Sequence, residues 1–485
     1  MEIKDPVGII NEGYTKNPEE EIPKCKQKYP EDWPKEDPQA KSCRLMKQGM
    51  KMFLVSLGKW SIGSMLTFPS VVANDLRQNN TTIFGAPISL TDSQMDMLGS
   101  LLSIFTIVGA LIAAPIINVI GRRLSMMISG VLVTLGWLGV VILPGAAGLL
   151  VARSICGVGL GSISVAINIY IVEIPEPEVR GIVFIVVNNG ILAGQLLTMA
   201  VGYGARYFVV AIVNAVIPFV FVISQIWLPE SPSFLVIKGR EEAARKVLLE
   251  LKGPSADIES EIMSYKTLNQ ISKSKEGDSW KGLFKADVLK DIIVVCNLFT
   301  ILYLAGYYVI SANTSRIFVA AGSRVDGSLA ALIITAVQLI PGIASSFLID
   351  RLGRVKSLII SYSCICVPLT VMSVYSAFAD AAGSQDYWWI PLVCLVISQA
   401  AGVLGANPIP FILSNEYFPT AIRSQASSIC YTIGTVAGFL TLQLYTPMAQ
   451  GMTQAGLYAF YASVSAAGVA FSYFFVTETR GKKVG

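Results

Sequence analysis

Histidine is absent from all 485 residues. With it go the commonest general base and the commonest metal ligand, so no histidine-dependent triad or zinc site can form. Charge is scarce as well, at 14%, where soluble domains carry about a quarter. The formal net charge of +4 is too small and too scattered for a nucleic-acid surface. Of the eight cysteines, Cys25 and Cys43 lie in the polar amino-terminal segment and the rest in apolar runs. None falls in an expected outside loop, which argues against a disulfide framework. Cys364-Ile365-Cys366 lacks metal-ligand spacing and reads as core packing. No cleavable leader is visible, because residues 1–49 are rich in Pro, Lys, Glu and Asp and lack an apolar run. No nucleophile elbow is present either. These absences point away from an enzyme, a metal and a cofactor.

What the chain has instead is apolar surface: 53% of its residues are hydrophobic and the mean hydropathy is +0.59. The excess has to face lipid. A helix crosses a bilayer with about 20 apolar residues, and twelve such runs can be read: 50–73, 94–117, 124–144, 147–172, 182–204, 206–228, 289–313, 327–349, 357–379, 388–414, 421–445 and 453–476. The expected organisation is a cytoplasmic, mostly disordered tail over 1–49, a six-helix bundle over 50–228, a polar linker over 229–288, a second six-helix bundle over 289–476 and a short tail over 477–485. Within the linker, residues 239–250 suit an amphipathic helix lying beneath the membrane.

Basic residues set the orientation. An even number of spans puts both termini and the linker on one side. That side collects Arg122, Arg123, Arg180, Arg351, Arg354, Lys356, Arg423, Arg480, Lys482 and Lys483. The opposite loops hold only Arg77, Arg206, Arg316 and Arg324. Both termini are therefore expected in the cytoplasm of a multi-pass cell-membrane protein. Asn79 and Asn80, in the first outside loop, include an N-x-Thr acceptor.

Charged motifs recur between the two halves. Glu173 and Arg180 bracket six residues, and Glu416 and Arg423 bracket six more, 243 positions later. Gly121-Arg122-Arg123 returns as Gly353-Arg354, and Pro229-Glu230-Ser231 as Thr477-Glu478-Thr479. Nearly one offset for three motifs implies two copies of one membrane unit, the parallel repeat of many secondary transporters. The predicted fold is an all-α membrane protein with twelve transmembrane helices in two six-helix pseudo-symmetric bundles. At the cytoplasmic helix ends, Arg122, Arg123 and Arg180 can pair with Glu173 and Glu230. Arg351, Arg354 and Arg423 can pair with Asp350, Glu416 and Glu478. Each exposed pair is worth about 1 kcal/mol, so only the whole network could act as a latch.

Taken in order, these motifs resemble the sugar porter family of the major facilitator superfamily, most nearly its insect facilitated trehalose transporters and mammalian facilitative glucose transporters. The resemblance runs from about residue 50 to 483 and is carried further by Arg153 with Gly157, Gly159 and Gly161, by Tyr170, and by Pro408-Ile409-Pro410. It implies alternating access around one central site. Without the family, Gly157, Gly159 and Gly161 along one helix already allow close helix approach, and the two prolines predict a bent or broken tenth helix.

The substrate pocket departs from the family pattern. Leu302, Tyr303 and Tyr308 stand in the seventh helix, where the family carries Gln-Gln-Leu-Ser-Gly-Ile-Asn. Phe411 replaces a tryptophan in the tenth, Gly434-Thr435 replaces Asn-Trp in the eleventh, and Asn188 stands for a glutamine of the fifth. Gln338 and Asn407 remain polar. Asn118 replaces an acid in the first-half motif. Burying unpaired sugar hydroxyls costs about 1–3 kcal/mol each, so this pocket suits an aromatic or amphipathic solute better than an ordinary hexose.

Asp75, Asp92 and Asp96 fall near outer helix ends and no acid is seen mid-helix. Facilitated diffusion is therefore expected rather than proton coupling. Two intramembrane cations remain. The family resemblance implies a structural role for Arg153. Lys59, about 12 Å beyond Lys51, can snorkel to the headgroups; facing the central cavity, it would attract an anion. The expected partners are a small organic solute and membrane lipid, with the chain acting as a monomer. The competing expectation is a transport-inactive sensor or receptor of the same lineage.

Overall fold

The computed structural model describes residues 38–176, 179–253, 257–267, 270, 286–321, 326–382, 387, 389–418 and 422–480. The remaining tail residues, including Lys482 and Lys483, and much of the linker lie outside the described residues, as does the Arg180 side chain.

The helices of the first half are α1 (Pro38–Gln78), α2 (Asp92–Ile120), α3 (Arg122–Ile142), α4 (Gly145–Glu173), α5 (Arg180–Gly204) and α6 (Tyr207–Ser224). The linker adds α7 (Pro232–Ile237), α8 (Glu241–Lys252) and α9 (258–267). The second half has α10 (Ala286–Leu304), α11 (Tyr307–Ala320), α12 (Gly327–Leu352), α13 (Arg354–Ala382), α14 (Ile390–Ala401), α15 (Pro408–Tyr417), α16 (Arg423–Gln443) and α17 (Tyr445–Phe474). Apart from one bridge between Thr81 and Pro87, the described residues form no strand pairing. Nine helical segments among them are long and apolar enough to cross a membrane. With α1, α5 and α16 the spans number twelve, six in each half.

Each half has its own core. One is built around Phe68, Trp137, Tyr170 and Phe221, the other around Phe299, Phe318, Tyr362 and Tyr458. Local chemistry fixes several helix ends. Thr91 and Gln94 form a reciprocal capping box at α2. The Asp75 carboxylate accepts the Tyr207 N–H at 2.9 Å, capping α6.

The seventh and tenth spans are discontinuous, and Thr453 (φ +65°) interrupts α17 near its start. The seventh, expected as one run over 289–313, is α10 and α11 separated at Ala305-Gly306, with Gly306 left-handed (φ +84°). Asn313 interrupts α11 again at φ −113°, ψ 16°. The tenth passes from α14 through a π turn, Gly402–Ala406, into α15. Pro408 and Pro410 have no N–H to give, so the helical ladder lapses where they begin; the Asn407 N–H reaches back to the Gly402 carbonyl instead.

The inner segments differ from expectation in two ways. Residues 38–49, assigned to the tail on composition, are the opening turns of α1. They are held by tertiary contacts that composition does not show: Arg44 and Gln48 both donate to the Leu251 carbonyl at the end of α8 and to Glu176. In α8, the apolar face of Ala244 and Leu248 is covered by Leu235 and Val236 of α7 and Ile262 of α9, so protein rather than lipid buries it.

Candidate transport site

The end of the molecule bearing Arg122 and Arg354 is here called inner, and the end bearing Asp75 and Asp96 outer. At the inner end, the two halves repeat one geometry. The Arg122 guanidinium donates twice to Glu173, at 2.9 Å each. In the second half Arg354 donates twice to Glu416, at 2.8 and 3.3 Å. Such bidentate pairs are the stronger class of charged hydrogen bond. The other carboxylate of each motif does a different job. Glu230 accepts the backbone N–H groups of Arg122 and Arg123 at the start of α3. Glu478 accepts those of Arg354 and Val355 at the start of α13. Each is an anion on a helix N-terminus, where exposed donors and the helix dipole favour it. Gly121 (φ +99°) and Gly353 (φ +91°) make the turn, and a Cβ on either would run into the capping carboxylate.

The remaining inner residues divide in the same way. Arg123 turns its guanidinium to the Ile226 carbonyl at 3.3 Å. Arg423 donates to the Phe418 carbonyl at 3.1 Å. Arg351 is exposed. Asp350 pairs with Arg354 at 3.2 Å, while its counterpart Asn118 is exposed. The Arg122 and Arg354 pairs each lie inside one bundle.

Contacts between the bundles gather at the outer end. Asp96 of α2 pairs with Arg316 of α11 at 2.6 Å and accepts the Thr446 N–H at 2.9 Å. Arg316 also reaches Thr446 Oγ1 and Asn313, and stacks over the Tyr445 ring. Ser70 meets Ser315 at 2.8 Å, Asn74 meets Ser328 at 2.6 Å, and Ser100 meets Gln443 at 2.6 Å. The outer end is thus closed by polar contacts across the bundle interface. Sequence reading noted these acids and Arg316 but could not pair them.

Aromatic side chains fill the middle of the second half. Tyr303 and Tyr308 stack with ring centroids 4.8 Å apart. The Tyr308 hydroxyl donates to Asn407 Oδ1 at 3.0 Å. Phe411, 40% exposed, packs edge-on against Phe299 and near Tyr431. Tyr303 is buried, and Thr435 donates to the Tyr431 carbonyl at 2.8 Å. The Tyr303 ring occupies space that Gly434 and Gly438 leave on α16, since a Cβ at Gly438 would overlap it. Gln338 donates to Gln399, which donates to the Tyr307 carbonyl beside the α10–α11 break, so this amide pair braces the break. Leu302 is 1% exposed and belongs to the bundle core. Asn188 bonds its own helix at the Phe184 carbonyl. One polar residue was missed. Gln195, buried on α5, has an Oε1 without a protein partner among the described residues. Its signal was a glutamine after Gly194, whose Cα abuts the Trp60 backbone.

The two cations within the spans are placed as follows. Arg153 is fully buried and ties three helices together, donating to the Met65 carbonyl at 2.8 Å and the Leu98 carbonyl at 3.3 Å, with Phe68 under its guanidinium. Lys59 does not snorkel: it is 3% exposed and donates to Asn168 Oδ1 at 2.8 Å. Among the described residues no three His, Cys, Asp or Glu side chains are grouped to hold a metal.

The profile of the family described as "Sugar (and other) transporter" matches residues 53–484. The facilitated trehalose transporter Tret1 of Bombyx mori is 29% identical over 443 residues, spanning 91% of this chain and 86% of the relative. That of Apis mellifera ligustica is 28% identical, spanning 91% and 87%. The inward-open xylose transporter XylE of E. coli superposes with a TM-score of 0.75 at 19% identity, covering 89% of this chain and 97% of its own. XylE bound to 6-bromo-6-deoxy-D-glucose superposes at 0.67 and 20% identity, covering 90% and 97%. These relatives are permeases rather than enzymes. With the family profile spanning nearly all of both bundles, the chain belongs to the sugar transporter family, a multi-pass membrane protein of the major facilitator fold.

Proposed function

We propose that this chain is a facilitative transporter of a small organic solute, moving it by alternating access between two six-helix bundles. The observation that carries the reading is the outer closure: Arg316–Asp96, Ser70–Ser315 and Ser100–Gln443 are polar contacts between bundles that can separate and re-form. Arg316 and Ser315 sit on α11, beyond a break in the seventh span, where the outer half can swing without moving α10. A solute that binds the two arrangements unequally shifts their populations.

The family favours a sugar, and the Tret1 relatives favour trehalose. The side chains favour a solute with an apolar or aromatic face, because Phe411, Tyr308 and Tyr303 offer rings with few polar points. Tyr308, Asn407 and Phe411 are the proposed contacts in the second half, with Gln195 in the first. Arg153 makes no carboxylate pair among the described residues, and this supports transport without proton coupling. The inner end is assigned to the cytoplasm of a cell-membrane protein acting as a monomer.

Reconstitution in proteoliposomes tests the reading. Saturable uptake of at least one solute from a panel of glucose, trehalose, sugar acids and aromatic glycosides is expected. Binding of such a solute without any flux would favour the sensor reading instead. Glucose uptake with ordinary hexose-transporter affinity would overturn the altered pocket.

A further inference from the structure

Lys59 and Asn168 form a polar pair inside the first bundle that the outer closure and the aromatic cluster do not use. We propose that this pair is a recognition point for the acid group of the solute, which makes the preferred substrate a carboxylate-bearing small molecule, such as a sugar acid, rather than a neutral sugar. The inference rests on the transporter reading and names the substrate class of that same pathway.

The geometry begins with depth. Lys51 pairs with Glu250 of α8, outside the spans. Lys59 is eight residues further along the same helix, about 12 Å deeper at 1.5 Å per residue. It is 3% exposed, so its ammonium has left water. It donates to Asn168 Oδ1 on α4 at 2.8 Å, and no carboxylate pairs with it among the described residues. A desolvated cation without a counter-ion is costly to keep in a membrane span, and ionisable groups retained there line substrate paths far more often than they face lipid.

The second link is Asn168 itself. Its side chain is exposed, five residues before Glu173 on α4. An exposed carboxamide at this depth cannot be turned to hydrocarbon without losing its hydrogen bonds, so it faces a space that water or solute enters. Lysine can only donate. It therefore takes one lone pair of the Asn168 oxygen and leaves the Asn168 NH₂ pointing away. What the pair offers to a solute is mainly N–H donors and one positive charge. That set matches a carboxylate, which only accepts. A neutral sugar hydroxyl brings no charge to offset the lysine, whereas a carboxylate does.

Charge also sets a signature of flux. Uniport of a monovalent anion carries net charge, so its rate follows the membrane potential. Uptake should rise when the liposome interior is made positive.

The experiment uses full-length protein in proteoliposomes with three probes: glucuronate, glucose 6-phosphate and glucose. The wild-type chain is expected to take up glucuronate saturably, faster at inside-positive potential, and at least tenfold more efficiently than glucose. Lys59→Met, which keeps the volume and removes the charge, should lower the glucuronate-to-glucose ratio at least tenfold. Lys59→Arg should retain part of it. Preference for glucose 6-phosphate over glucuronate would assign the acid to phosphate and overturn the carboxylate class. Equal use of glucose and glucuronate, or a ratio unchanged in Lys59→Met, would overturn the anion site. If no probe is transported, thermal stabilisation by glucuronate decides. A shift present in the wild type and lost in Lys59→Met keeps the site while rejecting transport, and no shift in either rejects the site as well.

Discussion

Asp96 and Arg316 meet at 2.6 Å across the two bundles, with the Asp96 side chain fully buried and Thr446 N–H on its second oxygen. Their helices share no covalent neighbour, so the pair exists only while the outer end is shut. Removing Asp96 leaves Arg316 with only the longer 3.4 Å contact to the exposed Asp92, at a cost of about 3 kcal/mol. Asp96→Asn should therefore shift the chain toward outer opening by about a hundredfold. Labelling of a cysteine placed at Ser315 reads this directly. No gain in labelling rate would show that the pair does not hold the gate. The cycle with Arg316→Gln should recover part of the loss, because the second change removes the orphaned charge.

Gly121 and Gly353 sit in a region of φ and ψ that only glycine occupies without strain, with a carboxylate where Cβ would be. Alanine at either position should cost about 2 kcal/mol in backbone strain before the clash is counted. Thermal unfolding in detergent should show both variants destabilised by similar amounts, since the two sites repeat one geometry. A neutral Gly353→Ala would mean the turn can relax.

Glu478 gives a pH dependence with a definite sign. Burial pushes its carboxyl upward, but the N–H groups of Arg354, Arg480 and Val355 and the Arg354 charge outweigh this, so its pKa falls below the ordinary value. A lowered folded pKa means the unfolded chain takes the proton more readily. The stabilisation is complete at neutral pH and is lost as pH falls through the lowered value, beginning below about pH 5. Glu478→Gln should be less stable than the wild type at pH 7, and the gap should narrow toward pH 4. Parallel melting curves across that range would contradict the assignment.

Tyr308→Phe removes one hydroxyl and leaves Asn407 Oδ1 without its donor. An unsatisfied polar atom of this kind costs about 1–2 kcal/mol. If solute normally replaces or shares that bond, affinity should fall roughly tenfold with the fold intact. Uptake kinetics identical to the wild type would remove Tyr308 from the path.

The ends of the spans were legible where chemistry leaves few options. The recurring Gly-Arg and carboxylate motifs gave the two bundles and the Arg122–Glu173 and Arg354–Glu416 pairs, whereas Glu230 and Glu478, read as partners of arginine side chains, cap helix starts instead. Contacts between bundles were not legible. Asp96 and Arg316 are separated by 220 positions, and nothing in either local pattern names the other. The first helix was cut short at residue 50 because polar residues such as Arg44 and Gln48 looked like a tail, while their partners on α8 and Glu176 lay elsewhere. Lys59 was visible as a charge, but only tertiary structure could show that it turns inward to Asn168 instead of outward to the headgroups. In the pocket, Tyr303 and Phe411 were singled out as side chains, yet the void that admits Tyr303 is made by glycines on another helix.

That last fit constrains how the protein can change. The Tyr303 ring fits against the bare backbone at Gly438, and Phe299 fits against that at Gly434, so the seventh span supplies bulk where the eleventh has none. Enlarging α16 at Gly438 alone meets the phenol, and trimming Tyr303 alone opens a hole beside Gly438. Repacking this spot therefore calls for changing both partners together.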